Sequence, residues 1–440
     1  MSIFKKKPLG KCPRCGFTTR VRWIKLGREI KCENCDFKLQ VITKRKQSLE
    51  DKKSLGIVDT IEEAYGISMG IEIETYTIRI SSGKYSIGYD DVVYPKEQVF
   101  EDGEIFTQDL TIGSEFNSPV FYRLHNAFFR LKASLRKYNV FQDKTEENVE
   151  KRICFMGTWL DAPAATHFHI GFGKDGIGEQ DAEYLAQHVH SHLPFLIALS
   201  ANSPVLNNEI TPFASNRLKE FPYCNPIAIK DFFKEYEKLS DYHFTEMNYN
   251  TFPGSGEDTK PPTLEIRVAD SNIPEYCIAC LAVIQAIVLK ATKKKKGQNV
   301  RPINICDYEN YIQARNNAIN DGSNAILCWN NKPTKVPKYI DKFFYFYKKE
   351  IEEIEIPPKI LDCFKYLKAG VNMADMIRES CTKMKKENPS NWENEFAKQY
   401  ILALEQNLGG NDLENFAGYL GIKLPNISKT ILGETSFYSP

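Results

Sequence analysis

Hydrophobic and polar positions alternate along several segments of the chain between residues 66 and 300. In residues 67–78, "ISMGIEIETYTI", the apolar residues Ile71 and Ile73 stand two apart, and this two-residue period predicts a strand with one buried face. Apolar positions at helical spacing predict helices over residues 121–138, 179–200 and 275–292. Beyond residue 300 the pattern becomes mainly helical, so the sequence predicts a mixed region followed by a helical one.

Pairs of polar side chains interrupt the apolar pattern of three predicted strands. Because residues two apart in a strand point to the same side, each pair stands together on one face. The pairs are Glu72 with Glu74, His167 with His169, and Glu265 with Arg267. Hard divalent cations prefer carboxylate oxygens, sometimes with an imidazole, and arginine matches the geometry of a phosphate. These strands therefore predict a sheet face that binds metal and phosphate.

A further acid, Glu115, follows a glycine in "LTIGSEFNSPV" and joins this set. Each motif alone also fits a solvated sheet face or a cross-strand ion pair, so the metal-binding interpretation depends on their occurrence together. The segment "GFGKDG" has the glycine spacing of a dinucleotide-binding turn. The strand before it carries two histidines instead of a continuous apolar run, and we interpret its glycines as a simple chain turn.

Two cysteine pairs distinguish the first 45 residues. Their spacing is C-x2-C-x16-C-x2-C, formed by Cys12, Cys15, Cys32 and Cys35. Four thiolates at this spacing are typical of a structural zinc site. We therefore predict a zinc ribbon over residues 1–45 and a polar linker over residues 46–65. Four incidental thiols are the alternative, but so small a segment has too little core to fold without a bound metal ion or a cross-link.

Composition and charge bound the remaining possibilities. The 440 residues are 42% hydrophobic and 26% charged, as in a globular protein. We expect no secretory signal and no apolar run near the roughly 18 residues of a membrane helix, hence a cytoplasmic protein with reduced thiols and no membrane partner. Residues 1–55 contain 16 Lys and Arg against 5 Asp and Glu, and the rest contains 42 Lys and Arg against 52 Asp and Glu. A basic N-terminal segment therefore precedes an acidic remainder.

The order of five short motifs resembles that of the glutamine-synthetase-like carboxylate–amine ligases. The motifs are "GIEIET", "GSEFNSP", "HFHIGF", "LIALSANSPVLNNEITPFASNRL" and "LEIRVAD". The similarity is closest to the branch that holds bacterial glutamate–cysteine ligase type 2 and the amidoligases. It implies an α+β fold over residues 66–300, in which an antiparallel sheet curved into a half-barrel is flanked by helices. A mainly helical region, residues 301–440, would follow.

The resemblance also implies a reaction and the residues that carry it. A carboxylate is phosphorylated by ATP, and an amine attacks the acyl phosphate to give an amide, ADP and phosphate. Two or three Mg2+ ions lie on the sheet face, and the implied ligands are Glu72, Glu74, Glu115, His167 and Glu265. The residues that correspond to contacts with ATP, its phosphates or the substrate carboxylate are His169, Arg217 and Arg267.

Some features depart from this family and keep other functions open. The zinc ribbon and the helical region are not part of a typical ligase. The loop "VLNNEITPF" differs from the usual loop of the glutamate–cysteine branch, so the acid and the amine stay unassigned, with peptides and macromolecules among the candidates. The alternatives are a non-catalytic protein whose basic ribbon docks on nucleic acid or on a protein, and a phosphotransferase of the same fold.

Overall fold

A computed structural model describes most of the chain after residue 65. The described residues are 66–89, 104–107, 109, 111–142, 149–173, 176–232, 234, 244–251, 261–295 and 301–433, with five short strands elsewhere. The strands are β1 (Leu9–Lys11), β2 (Thr18–Arg20), β3 (Glu29–Lys31), β4 (Lys38–Gln40), β5 (Ile67–Glu74), β6 (Tyr76–Ser81), β7 (Lys84–Gly88), β8 (Gln98–Val99), β9 (Ile105–Thr107), β10 (Glu115–Asn117), β11 (Val149–Cys154), β12 (Ala165–Phe172), β13 (Val205–Leu206), β14 (Glu209–Ile210), β15 (Met247–Asn250), β16 (Thr263–Asp270), β17 (Ile326–Trp329) and β18 (Lys332–Lys335).

The helices lie mostly in the second half of the chain. They are α1 (Leu124–Gln142), α2 (Glu179–Val189), α3 (Leu193–Ser200), α4 (Asn216–Glu220), α5 (Pro274–Lys295), α6 (Tyr308–Asp321), α7 (Val336–Phe346), α8 (Lys348–Ile354), α9 (Pro358–Lys368), α10 (Met373–Glu387), α11 (Trp392–Leu408) and α12 (Leu413–Tyr419). The helix predicted over residues 179–200 is divided, because a 3-10 turn at His190–His192 separates α2 from α3. The other two predicted helices correspond to α1 and α5.

Among the described residues, the main sheet has seven strands in the order β15-β16-β12-β5-β10-β9-β8, and every neighbouring pair is antiparallel. One face is apolar and fully buried, with Ile71, Ile73, Phe168 and Ile266 among its side chains. The antiparallel order excludes a parallel dinucleotide-binding sheet, so the glycines after β12 do not form that motif. The predicted mixed fold with an antiparallel sheet is confirmed, and its half-barrel curvature stays a prediction.

Helix α5 forms the centre of the core. It packs against α1, α2, α3, α8 and α9. Its segment Pro274–Lys293 is long and apolar enough to cross a membrane by length and composition, which corrects the expectation that no apolar run reaches that length. The segment's most apolar window is 89% buried inside the protein, and a buried core helix has the same composition as a membrane span.

The C-terminal helices share this core. One cluster of buried apolar side chains extends from Ile67 to Leu432, and the ring of Trp159 stacks on that of Phe396 in α11. The buried ammonium of Lys132 in α1 pairs with Glu275 of α5 and donates to the carbonyl of Asn407 at 2.8 Å. The division of the chain at residue 300 stays a prediction, while the described helices on both sides of it pack together.

The N-terminal segment contains two antiparallel hairpins. Strand β1 pairs with β2, and β3 pairs with β4. The four predicted zinc ligands, Cys12, Cys15, Cys32 and Cys35, lie outside the described residues, as does the predicted linker over residues 46–65. The zinc site and the ribbon therefore stay predictions.

One disulfide corrects the expectation that all thiols are reduced. Cys306, just before α6, is bonded to Cys328 in β17, 22 residues along the chain. The remaining cysteines of the described region are free and buried: Cys154, Cys224, Cys277, Cys280, Cys363 and Cys381. The bond closes a loop that contains the whole of α6. The cytoplasmic location stays a prediction.

Acid should destabilise the protein through a buried histidine. His192, at the start of α3, is fully buried, and its ring nitrogens bond the hydroxyls of Tyr347 at 3.0 Å and Tyr339 at 2.8 Å. Burial lowers the pKa of His192 to about 3. Because an unfolded histidine has a pKa of about 6.5, the neutral ring stabilises the fold above pH 6.5, and this contribution is lost as the pH falls toward 3.

We expect His192 to account for a loss of about 2 kcal/mol in the free energy of unfolding between pH 7.5 and pH 5. The measurement is urea unfolding of the wild type and of His192→Gln at both pH values, followed by tryptophan fluorescence. The variant should be less stable than the wild type at pH 7.5 and should lose about 2 kcal/mol less on acidification. Equal losses in both proteins would contradict this assignment.

Candidate functional site

Cross-strand pairing brings the predicted acids and histidines onto one face of the main sheet. The paired residues are Glu74 with Glu115, Glu72 with Asn117 and with His167, and His169 with Glu265. Strand β12 shifts its register against β16 between Thr166 and Phe168. The alternate residues of these strands, such as Ile71 and Ile73, enter the core. The two-residue spacing of the sequence therefore places the polar pairs on the side opposite the core, as predicted.

Two carboxylates and one histidine form the first group of possible metal ligands. One ligand atom each from Glu72, His169 and Glu265 lies within 4.8 Å of the others. The Nε2 atom of His169 is 3.2 Å from Glu72, while its Nδ1 bonds the hydroxyl of Thr263 at 2.9 Å. That bond orients the ring toward the acids. His169 therefore lies with the predicted metal ligands.

His167 stands between acidic residues of the two neighbouring strands, β5 and β16. Its Nδ1 atom is 3.4 Å from Glu265 and 3.8 Å from Glu72, and its Nε2 is 3.8 Å from Glu74. Its side chain is almost fully buried. This arrangement suits either a metal ligand or a charge partner of the carboxylates, so the predicted role of His167 as a metal ligand stays a prediction.

Three carboxylates form the second group, and one of them was not predicted. Ligand oxygens of Glu74, Asp109 and Glu115 lie within 4.8 Å of one another. Asp109 is held by a turn, because its Oδ1 accepts from the backbone N–H groups of Thr111 at 2.6 Å and Ile112 at 3.0 Å. An Asp that caps a turn shortly before the glycine of "TQDLTIG" was the available signal. It is weak, since such turns are common.

The two groups differ in how their negative charge is compensated. Burial by itself would raise the pKa of Glu265, but the charges of Arg267, His169 and His167 outweigh it and lower that pKa to about 2. Burial and the charges of Glu72 and Glu74 raise the pKa of Glu115 to about 8. Burial also raises the pKa of Glu74. A cation bound to the second group would favour the ionised carboxylates and so lower these raised pKa values.

The two predicted arginines meet beside the first group. The guanidinium of Arg267 pairs with Glu265, and Nη2 of Arg217 donates to the backbone carbonyl of Arg267 at 2.6 Å. Within the described part of the chain, Nη1 of Arg217 and Nε of Arg267 are buried and make no hydrogen bond. Both side chains thus have donors to offer an anion.

A buried aspartate connects two of the sequence motifs that carry the resemblance. Asp270 accepts from the backbone of Asn202 at 2.8 Å and from the hydroxyls of Ser203 at 2.7 Å and Ser215 at 2.9 Å. Its Oδ1 is also 3.9 Å from Nη1 of Arg217. The motifs "SANSP", "ASNR" and "VAD" therefore converge on one carboxylate near Arg217, a role for Asp270 that the sequence analysis did not predict.

These side chains line a cleft of about 290 Å3. The charged lining residues are Glu72, Glu74, Asp109, Glu115, His167, Arg217, Glu265 and Arg267. Aromatic side chains complete the wall, and the guanidinium of Arg267 lies 4.7 Å from the centre of the Phe244 ring. Every acid predicted as a magnesium ligand is present, so the donor set, mostly carboxylate oxygens, fits a hard divalent cation.

Sequence comparison relates the centre of the chain to one ligase family. Residues 162–325 match the family model described as glutamate-cysteine ligase family 2 (GCS2). The resemblance to carboxylate–amine ligases is confirmed. The matched segment contains both histidines, both arginines and Glu265, whereas Glu72, Glu74 and Glu115 precede it. The predicted class, an ATP-dependent carbon–nitrogen ligase, agrees with the names of the relatives.

Two curated relatives illustrate the extent of this similarity. A glutamate–cysteine ligase of Haloferax volcanii is 30% identical over 31% of this chain and 41% of its own length. A glutamate–cysteine ligase of Natronomonas pharaonis is 28% identical over 28% of this chain and 36% of its own. The chain thus spans less than half the length of these relatives.

Solved ligase structures superpose on the chain at TM-scores just below 0.5. The complex of the prokaryotic ubiquitin-like protein Pup with its ligase PafA has a TM-score of 0.49 and 11% identity, and covers 82% of this chain and 80% of its own. Glutamate–cysteine ligase of Francisella tularensis in complex with AMP has a TM-score of 0.48 and 10% identity, and the match covers 81% of this chain and 92% of that ligase.

The crowding of carboxyl groups in the second group generates a prediction about stability. In EDTA, Glu115→Gln should raise Tm by several degrees, because it removes one of three neighbouring carboxylates. Magnesium should raise the Tm of the wild type, since a ligand that binds only the folded state stabilises it, and should raise that of the variant less. Differential scanning calorimetry in EDTA and in MgCl2 measures both effects.

The control variant is Glu150→Gln, which removes an exposed acid in β11 whose ion-pair partner among the described residues is Arg152. It should alter neither the Tm in EDTA nor the response to magnesium by more than a degree or so, as surface ion pairs contribute little. A wild type that is indifferent to magnesium, or a variant that responds as strongly as the wild type, would contradict the assignment of this group as a cation site.

Proposed function

We propose that the chain is an ATP- and Mg2+-dependent carboxylate–amine ligase. The observation that carries the proposal is one cleft in which two groups of possible metal ligands adjoin two arginines. Each arginine has one buried nitrogen that makes no hydrogen bond to the described residues. The match of residues 162–325 to a ligase family supports the same reaction class. The cleft has the components that phosphoryl transfer requires, namely metal ligands and fixed positive charge.

The proposed reaction joins an acid to an amine in two steps. The carboxylate oxygen of the acid attacks the terminal phosphorus of ATP, which gives an acyl phosphate and ADP. The amine nitrogen then attacks the acyl carbon, loses a proton and displaces phosphate, so an amide forms. The acid and the amine are unassigned, and peptides or other macromolecules remain candidates for either.

The chain's own residues would hold the reactants and offset their charge. Magnesium, bound by Glu72, His169 and Glu265 and by Glu74, Asp109 and Glu115, would neutralise phosphate charge. Arg217 and Arg267 would bind the transferred phosphoryl group or the substrate carboxylate through their spare donors. A protein nucleophile is not part of the scheme. Cys224 lines the cleft, but burial raises the pKa of its thiol, which keeps it protonated.

Mg-dependent nucleotide binding tests the proposal first. Calorimetry with a non-hydrolysable ATP analogue should show binding that needs magnesium, and Glu72→Gln and Glu265→Gln should each weaken it at least tenfold, or about 1.4 kcal/mol. The control Glu405→Gln, an exposed acid on α11, should bind as the wild type does. A folded wild type that binds no nucleotide would refute the proposal.

ADP release then separates the ligase from its alternatives. A ligase needs both a carboxylate and an amine for sustained ADP formation, so a screen of paired acids and amines, scored by ADP, should give signal only with both. ADP released with a single acceptor would favour the phosphotransferase. Binding of nucleic acid without any ADP formation would favour the non-catalytic alternative.

We also propose that the N-terminal segment is a structural zinc ribbon that docks a partner or substrate. In support, each cysteine pair falls between two strands that pair as a hairpin. We expect one zinc ion per chain by elemental analysis, lost in the double variant Cys32→Ser/Cys35→Ser and kept in Cys381→Ser, whose cysteine is buried in α10. Zinc-free wild type would contradict the ribbon.

A further inference from the structure

Helix α6 contacts the chain segments that carry both arginines of the cleft. At its centre, the buried side chain of Arg315 makes two contacts. Its Nε atom pairs with the carboxylate of Glu246, and its Nη2 donates to the backbone carbonyl of Cys224 at 2.8 Å. Glu246 immediately precedes β15, and Cys224 lines the cleft. One guanidinium therefore joins two segments next to the site.

Glu246 connects this guanidinium to Arg267. Its carboxylate is fully buried and also accepts from the hydroxyl of Tyr311 and from the backbone N–H of Ile227 at 3.4 Å. Its backbone carbonyl accepts from the N–H of Arg267 at 2.9 Å. A residue held by three groups thus fixes the backbone of an arginine whose side chain faces the cleft.

The C-terminal end of α6 fixes the other arginine. The carbonyl of Ile319 accepts from the N–H groups of Ala214 at 3.1 Å and Ser215 at 2.9 Å. The hydroxyl of Ser215 caps the short helix α4 by accepting from the N–H of Leu218 at 3.3 Å. Arg217 lies within this cap, so α6 sets the point from which Arg217 extends.

The two arginines and Cys224 then meet at a single backbone carbonyl. The carbonyl oxygen of Arg267 accepts from Nη2 of Arg217 at 2.6 Å and from the thiol of Cys224 at 3.5 Å. A change in the position of Cys224 or of Glu246 would therefore alter how the guanidinium groups lie relative to each other. Sub-ångström placement matters here, because charge stabilisation in a cleft depends on donors fixed before the reaction.

We propose that Arg315 is a positioning residue that sets the spacing of Arg217 and Arg267 through Glu246 and the Cys224 carbonyl, so that the pair grips a phosphoryl group in transfer. This inference rests on the proposed function. Arg315 itself does not line the cleft. Arginine suits this place because its planar fork donates in two directions at once, which a lysine ammonium cannot reproduce at the same geometry.

A purely stabilising role is the competing explanation, since breaking a buried ion pair leaves an uncompensated charge in the interior and strongly destabilises a protein. Loss of fold stability would affect all ligands of the cleft alike. Loss of arginine placement would affect only the ligand that the arginines contact. Two probes separate these cases: Mg-ADP alone, and Mg-ADP with aluminium fluoride, a mimic of a phosphoryl group in transfer.

The test is calorimetric binding of both probes to the full chain. In the wild type, aluminium fluoride should tighten the binding of Mg-ADP. In Arg315→Lys, we expect the affinity for Mg-ADP to stay within twofold of the wild type and the tightening by fluoride to fall at least tenfold. In an Arg217→Ala background, where one of the two arginines is absent, Arg315→Lys should change the tightening by fluoride much less.

Lys132→Met is the matched control, because it breaks the buried Lys132–Glu275 pair, which is not part of the cleft lining. It should lower Tm, yet aluminium fluoride should tighten the binding of Mg-ADP as much as in the wild type. If Arg315→Lys fails to fold, Tyr311→Phe is the second variant. It removes only the hydroxyl that donates to Glu246 and should reduce the tightening of Mg-ADP binding by aluminium fluoride severalfold.

Three outcomes would overturn the inference. They are an unchanged fluoride effect in the folded variant, an equal loss for both probes, and a wild type that binds Mg-ADP without any tightening by fluoride. A wild type that binds no Mg-ADP at all would instead refute the proposed function.

Discussion

Negative charge on a sheltered sheet face is the constraint on which the rest of this structure depends. An ionised carboxylate taken out of water costs several kcal/mol unless a partner offsets it. Arg267 provides that partner for Glu265, whereas Glu74, Asp109 and Glu115 crowd together, and the pKa values of Glu74 and Glu115 are raised. The proposed cation would relieve this crowding of carboxylates, which lowers the stability of the protein without it.

The positive side of the cleft depends on helices far along the chain. Arg217 stands on α4, a helix of five residues, and so short a helix is marginal without tertiary support. Besides α6, helix α10 provides that support, because Arg378 donates to the carbonyls of Thr211 at 3.1 Å and Phe213 at 2.7 Å. The C-terminal helices, for which the sequence suggested no role, therefore help to build the site.

The sequence predicted the parts of the site that local geometry determines. Glu72 and Glu74 share a face because they stand two apart in one strand, and no knowledge of the neighbouring strands is needed. Asp109 and Asp270 were missed because a turn and a set of tertiary contacts give them their places. The Cys306–Cys328 bond was missed for a similar reason: expected compartment and spacing do not reveal which thiols the fold brings together.

The alternation along β5 has a consequence for how the chain finds its native pairing. A slip of one residue against β10 or β12 would turn Glu72 and Glu74 into the core and expose Ile71 and Ile73 to the cleft. Burying two carboxylates in an apolar interior is prohibitive, so misaligned pairings are strongly disfavoured. The carboxylates that are proposed to bind metal thereby also determine the register of β5 against its neighbouring strands.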